Sequence, residues 1–272
     1  MRSDGKRVKN ADPMYTVGAY VMDKRLDSMN MITVDIPLAP LKEYIAKMKE
    51  HRISHMPLII CAFLRTMCEF PELNRFVVNK KIYQRNDFSV SMAVLKPGDL
   101  HGTTSKVSFD FEDTIFDVQR KIDEYVAQNR AEGQTNSADY MVEKLLSVPG
   151  LCNFGVGLFK FMDKHGILPK KVIDLSPFHA SFLITNLASI RTNHIYHHIY
   201  EFGTTSMAIS IGNIRYIPKM RNEQIVFEQV LPLGITMDER ICSGAYFAAA
   251  FKRASQYLKN PHLLEEKGRM SL

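Results

Sequence analysis

Strict alternation of apolar and polar positions recurs along the chain and predicts most of its strands. Residues 30–36 set Ile32, Val34 and Ile36 against polar neighbours, the period of two expected of a half-buried strand. Residues 88–94 repeat it, with Phe88, Val90, Met92 and Val94 opposite Ser89, Ser91 and Ala93, and residues 106–111 do so with Val107, Phe109 and Phe111. Three further strands are predicted at 181–187, 206–212 and 228–237. Helical spacing fills the intervals. A short amphipathic helix is predicted over 41–50, and residues 57–70 are apolar almost all round, as a helix buried in the centre would be, until Pro71 stops it. Thr114, three residues before Asp117, is a capping signature for a helix through Ile115, Val118, Ile122 and Val126. Residues 133–138 read as a loop and 140–165 as a second helical block. The last helix, 244–259, turns Ala245, Phe247, Ala248, Phe251 and Leu258 inward and closes at Asn260-Pro261.

Strands and helices interleave without a repeat or a low-complexity linker, so residues 1–272 are expected to form a single domain. The later strands follow one another too closely for parallel crossovers. The predicted class is therefore α+β, a two-layer sandwich with a mixed sheet and helices on one face. Composition narrows this further: 46% apolar with 24% charged is the balance of a chain that buries a core, which excludes global disorder. The richest apolar stretch, residues 56–70, is broken by Arg65 and Glu69, so no membrane span is expected. The charged start is not followed by an apolar signal region, and the four cysteines (Cys61, Cys68, Cys152, Cys242) are scattered as reduced thiols, without a zinc-like cluster. Both point to a cytoplasmic protein without a metal. A net charge of +6, concentrated only at the N-terminus and in 215–221, is a weak footprint for nucleic acid and suits a small anionic ligand equally well.

Four segments, taken in order, resemble the catalytic domain of the dihydrolipoamide acyltransferases of 2-oxoacid dehydrogenase complexes, which share the chloramphenicol acetyltransferase fold. Pro57-Leu58-Ile59-Ile60-Cys61-Ala62-Phe63, running to Pro71-Glu72-Leu73-Asn74, is similar to the family's buried helix ending in Pro-x-Leu-Asn. Phe88 to Val94 resembles the strand that follows. Phe182-Leu183-Ile184-Thr185-Asn186-Leu187 looks like the family's Phe-Thr-Ile-Ser-Asn-Leu strand, and Asp238-Glu239-Arg240-Ile241-Cys242-Ser243-Gly244 stands where the family carries Asp-His-Arg-x-x-Asp-Gly. The resemblance covers about residues 15–262. It implies a coenzyme A-dependent acyltransferase-like domain, a homotrimer with the site between subunits, possible further assembly, and coenzyme A or acyl-coenzyme A as substrate. The lipoyl-bearing and peripheral-subunit-binding modules that normally precede the domain are not seen.

The chemistry departs from the pattern: Glu239 replaces the family's catalytic histidine and Ser243 its aspartate, while Arg240 and Gly244 are kept. Against a thiol near 8.5, a carboxylate near 4.3 is a poorer base than an imidazole near 6.5 by about 2 units, roughly 3 kcal/mol or a hundredfold in rate. Glu239 thus reads as a handicapped base or as an ion-pair residue bonded to Arg240 or an N-terminal arginine. Arg25, which the resemblance would pair with the motif aspartate, is expected to lose that partner to Ser243, with Glu239 as a replacement. Thr185 matches the family's oxyanion donor, a role that needs only an aimed O–H, though a strand threonine is also a plain β-former; Asn186 adjoins it. Ser243 reads most simply as a helix N-cap. The cluster His194, His197, His198 offers displaced bases, a metal pair if His194 and His198 share a helix face, or packing groups. Two functions follow: acyl transfer between coenzyme A and a thiol, alcohol or amine through a remodelled site, or a catalytically inactive relative, either a trimeric scaffold or a binder of acyl-coenzyme A or of a partner complex.

Overall fold

Seven strands form the main sheet. The computed structural model describes residues 2–95, 102–130, 147 and 151–269; the loop expected at 133–138, most of the first part of the 140–165 helix and the side chain of Cys152 lie outside the described residues. Across the sheet run β2 (Met29–Pro37), β10 (Gln224–Asp238), β8 (Met207–Ile211), β7 (Phe182–Asn186), β5 (Phe88–Leu95) and β6 (Gly102–Phe109), with β9 (Arg215–Arg221) pairing the first half of β10. The pairs β5–β7 and β7–β8 are parallel and the rest antiparallel, so the sheet is mixed as expected. The parallel pairing of β7 with β8 corrects the expectation that the later strands lie too close for parallel crossovers: residues 187–206 make that crossover without an α-helix. A small second sheet joins β1 (Gly5–Arg7), β4 (Lys81–Arg85) and β3 (Arg75–Val78).

Register carries the alternation into three dimensions. Leu231, Leu233 and Ile235 of β10 stand opposite Ile36, Val34 and Ile32 of β2, so one face of the sheet is continuously apolar. On it lie α2 (Leu38–Lys47), α3 (His55–Glu69), α4 (Ile115–Arg130) and α7 (Gly244–Lys259). Every residue of α3 from Pro57 to Cys68 is buried, which is why its sequence is apolar on all sides. Phe63 joins the two layers, its ring centroid 5.7 Å from Phe182 on the sheet and 6.2 Å from Phe251 on α7. Arg65 survives inside this helix because its guanidinium donates to the carbonyls of Phe111 and Asp113. The Thr114 cap forms as expected: both its backbone N–H and its hydroxyl donate to Asp117 Oδ2, at 3.0 and 2.7 Å.

Several elements escaped the sequence reading. α1 (Pro13–Val21) leaves Met14, Val17, Tyr20 and Val21 exposed, so no core-facing stripe marks it. Residues 215–221, seen as a basic patch, are β9, turned back into β10 by Asn222 and Glu223 at φ 48° and 63°, the left-handed pair a tight hairpin requires. The second helical block is α5 (Leu151–His165), followed by a separate short helix, α6 (Lys170–Leu175).

The sheet's other face is also covered. Ser89, Ser91, Ser206, Ser210 and Thr236 are all buried there. Ser91 Oγ donates to the Pro177 carbonyl, and an extended strap, residues 192–200, runs over Ser210 and Gly234. Ser210 Oγ donates to the carbonyl of Ile195 and accepts from its N–H, and His194 Nε2 meets Thr33 Oγ1 at 3.0 Å. The strap lies so close that a Cβ on Gly234 would stand 2.3 Å from the Ile195 carbonyl oxygen, and one on Gly212 2.3 Å from the His194 nitrogen. Only glycine fits at these two positions.

Candidate active site

Alternation along β7 turns Phe182 and Ile184 into the core and Leu183 and Thr185 toward the strap. Thr185 there lines a cavity of about 170 Å³ together with Leu183, Phe178, His197, His198 and Tyr200. Among the described residues its hydroxyl makes no hydrogen bond, so the O–H is available to a ligand. The structure therefore brings together Thr185 and the two histidines that the sequence placed only by proximity in the chain. Because the strap is extended, His194 and His198 do not share a helix face: His194 reaches β2, while His198 stacks with His197 at 4.8 Å and meets Tyr200 edge-on at 4.7 Å. The helical pairing that a two-histidine metal site required is absent for that reason. Asn186, one residue past Thr185, lines a different cavity of about 470 Å³ with His55, Ser189 and Asn213.

The motif turn lies at the far end of β10. Thr185 pairs with Ser210 and Ser210 with Gly234; Glu239 is five residues further along and two strands across, roughly 19 Å away in the same chain. Its carboxylate accepts from Asn30 Nδ2 and its backbone N–H donates to the Ser28 carbonyl. No ion pair to Glu239 exists among the described residues, which corrects the expectation that it bonds Arg240 or replaces the partner of Arg25. That partner is Asp238, the first residue of the motif. Asp238 is fully buried, accepts from Arg240 Nε at 2.8 Å and Nη2 at 2.7 Å, takes Ser28 Oγ at 2.9 Å, and lies 3.8 Å from Arg25 Nε.

Arg25 serves the strap as much as the motif. Its Nη1 donates to the carbonyls of Tyr200 and Glu201, both at 2.8 Å, and its Nη2 to that of Gly203 at 2.7 Å, while Glu201 Oε2 accepts from its backbone N–H at 2.8 Å. Burial pulls the guanidinium below its ordinary pKa and Asp238 opposes this. Arg240 is buried too, yet its hydrogen bonds to Asp238 and the Asp238 charge outweigh desolvation and hold it above the usual value. The turn Arg25–Ser28, the strap and the motif thus meet at one carboxylate. A mixed-charge cavity of about 310 Å³ opens beside them, lined by Arg25, Lys80, Lys160, Asp163, Glu201 and Arg240.

Ser243 caps α7, its Oγ accepting from the Tyr246 N–H at 3.0 Å, and Gly244 opens the helix. Ser243→Ala is expected to cost about 1 kcal/mol, read as a shift in the urea midpoint, without altering any ion pair of the motif; a loss several times larger would mean the serine does more than cap.

Sequence reasoning also missed a buried cluster around the N-terminus. Arg2 bonds Asp4 and Asp163, and Asp163 lies 3.3 Å from His179 Nε2, whose Nδ1 meets Ser176 Oγ at 2.7 Å; Arg85 donates to Thr204 alongside. Residues 161 positions apart leave no local signal. His179, fully buried, is packed against Phe202 and does not open onto the Thr185 cavity. Cys61 and Cys242 are buried among apolar groups, and burial pushes the Cys61 thiol up to about 12 and Cys242 higher still, so neither is a nucleophile.

The fold is that of the chloramphenicol acetyltransferase-like acyltransferase cores. A probable dihydrolipoamide acetyltransferase from Listeria monocytogenes superposes with a TM-score of 0.60 at 14% identity, covering 94% of this chain and 95% of that one. The cubic core of a pyruvate dehydrogenase multienzyme complex gives 0.61 at 13% identity over 91% of this chain and 89% of the other, and a chloramphenicol acetyltransferase 0.57 at 10% over 94% and 99%. In sequence, residues 177–265 match the family 2-oxoacid dehydrogenases acyltransferase (catalytic domain). Over 85 residues the chain is 35% identical to the dihydrolipoyllysine-residue acetyltransferase component of the acetoin cleaving system of Bacillus subtilis (strain 168), spanning 31% of this chain and about a fifth of the length of that relative. Fold over most of the chain and sequence over residues 177–265 point to the same relatives: the chain is similar to acyltransferases of the dihydrolipoamide acetyltransferase type. The matched segment holds both the Thr185 strand and the motif turn. No helix among the described residues is long and apolar enough to cross a membrane.

Proposed function

We propose that this protein transfers a short acyl group between coenzyme A and a thiol, alcohol or amine acceptor, as a cytoplasmic homotrimer with its site at the subunit boundary. The observation that carries the reading is the unengaged Thr185 hydroxyl in an apolar cavity beside imidazoles. A tetrahedral oxyanion needs an aimed donor in a water-poor site, and this hydroxyl supplies one. At about 170 Å³ the cavity is smaller than the roughly 300–1,000 Å³ of drug-sized sites, so acetyl or propionyl thioesters are expected to turn over and octanoyl thioesters to be excluded.

The trimer finds support in the hairpin of β9 and β10. Tyr216, Pro218 and Met220 pair across it with Gln229, Phe227 and Ile225 on one face, and Tyr216, Met220, Ile225 and Phe227 are exposed, while Glu228 binds Lys219 and Arg221 on the other. An apolar ribbon of this kind is suited to a neighbouring copy. A boundary site would also let Thr185 of one copy face the motif turn of the next, which the roughly 19 Å separation forbids within one chain. Assembly beyond the trimer belongs to the same reading.

A second reading, an inactive trimeric scaffold that holds acyl-coenzyme A, is favoured by one observation: Glu239, in the place of the family's base, is tied down by Asn30. Calorimetric titration with coenzyme A and acetyl-coenzyme A, followed by thiol release against a panel of acceptors, separates the two. Saturable binding with release is expected. Binding without release leaves the scaffold, and a stable trimer that binds neither ligand rejects both.

A further inference from the structure

His197 lies on the strap and lines the same cavity as Thr185. Its Nδ1 stands 2.7 Å from the backbone carbonyl oxygen of His198. A carbonyl can only accept, so Nδ1 carries the proton and the neutral ring keeps its lone pair on Nε2. Nε2 makes no hydrogen bond among the described residues. The ring itself is held, half-buried, between the stacked His198 ring and Tyr200 at 6.0 Å, and Tyr200 is braced edge-on by Phe178 at 4.9 Å. The neighbouring Ile199 is buried and fixes the strap at this point.

A defined tautomer, a braced ring, an unengaged lone pair and an unengaged hydroxyl thus converge on one small apolar cavity whose lining contains no carboxylate. Glu239 offers none of this within the chain, being bonded to Asn30 at the other end of β10. We propose that His197 Nε2 is the general base of acyl transfer, working with Thr185 Oγ as the oxyanion donor, so that the base absent from the motif is supplied by the strap. This rests on the acyltransferase reading above.

The step closes without oxidant or metal. Nε2 takes the proton of the acceptor thiol as the sulfur electron pair forms a bond to the thioester carbonyl carbon. The carbonyl π pair moves to oxygen, which accepts from the Thr185 O–H. Collapse restores the carbonyl, breaks the bond to the sulfur of coenzyme A, and that sulfur leaves with the proton returned from Nε2. His198 is a positioning residue, since its backbone oxygen sets the tautomer and its ring backs that of His197.

The test is steady-state thioester exchange from acetyl-coenzyme A to dihydrolipoamide with the full chain, comparing wild type with His197→Ala, His197→Gln and Glu239→Gln, each checked for an unchanged thermal melt. The His197 variants are expected to lose about 10²- to 10⁴-fold in kcat, with KM for acetyl-coenzyme A held within about threefold. Added imidazole is expected to restore part of the His197→Ala rate, a readout that a packing role would not give. Glu239→Gln is expected to lose less than about tenfold. His197→Gln turning over like wild type overturns the inference while leaving the acyltransferase reading in place. So does a Glu239→Gln variant that is dead while His197→Ala is active. A wild type that binds acetyl-coenzyme A and releases no thiol overturns the acyltransferase reading, and this inference with it.

Discussion

Asp238→Ala is expected to destabilise the protein by about 3–5 kcal/mol, the largest loss of any single substitution at the motif. The carboxylate is fully buried and holds two buried arginines, taking two hydrogen bonds from Arg240 and standing 3.8 Å from Arg25. Truncation takes from both guanidiniums their nearest counter-charge in low dielectric, and it leaves Ser28 Oγ only the Arg25 carbonyl to donate to. The damage is not confined to the motif. Arg25 tethers the carbonyls of Tyr200, Glu201 and Gly203 at the end of the strap, so its displacement loosens the segment that carries His197. Asp238→Asn, with the shape kept and the charge lost, is expected to recover only a minor part of the loss. Equilibrium urea unfolding measures both; a cost under 1 kcal/mol for the alanine variant would show that solvent reaches the arginines and that the clamp is not what holds strap to motif.

The second large effect is expected across the mixed-charge cavity from that clamp and depends on pH. Asp163→Ala removes the carboxylate shared by Arg2 and His179 and is expected to cost about 3 kcal/mol at pH 7, Arg2 keeping its bonds to Asp4 and to the Asp163 carbonyl. In the wild type, burial lowers the His179 pKa, with Asp163 opposing, so the folded protein prefers the neutral ring. The unfolded chain takes up a proton near 6.5 that the folded chain refuses. Stability is thus present in full above about pH 6.5 and falls as the pH drops below it. Asp4 and Asp163 add to the fall at lower pH: burial alone would raise both, but bonds from Arg2 to Asp4 and from His179 and Arg2 to Asp163 win and hold them below the ordinary carboxylate value. Protonating them as the pH falls through 4 and below costs further stability. The melting temperature is therefore expected to decline from pH 7 to 5, and His179→Gln to flatten that slope. A wild-type curve level from pH 7 to 5 would show that His179 takes up its proton in the fold as readily as in the unfolded chain.

Much of the scaffold was legible because its signals are local. Alternation named β2, β5 and β6, strand candidates fell at β7, β8 and β10, the unbroken apolar run named α3, and the Thr114–Asp117 spacing named the start of α4. The resemblance, carried by α3, β5, β7 and the turn at 238–244, gave the fold. β9 and α1 stayed hidden because their apolar residues face outward and so obey no core-directed period.

The candidate site divides differently. From the sequence came only the expectation of which residues answer to the family's positions: Thr185 on its strand, Glu239 and Ser243 in the altered motif. The sequence had no means of showing that Asp238 is the clamp's carboxylate, that Asp163 meets His179, or that Ser210 of β8 lies beneath a strap, since such contacts leave no periodic trace. The tertiary structure alone set the histidines beside Thr185, because the placement of 192–200 is decided by Ser210, Gly212, Gly234 and Arg25 on three other segments. A chain encodes its elements through short-range spacing and its site through long-range contacts, and only the second depends on every layer being in place.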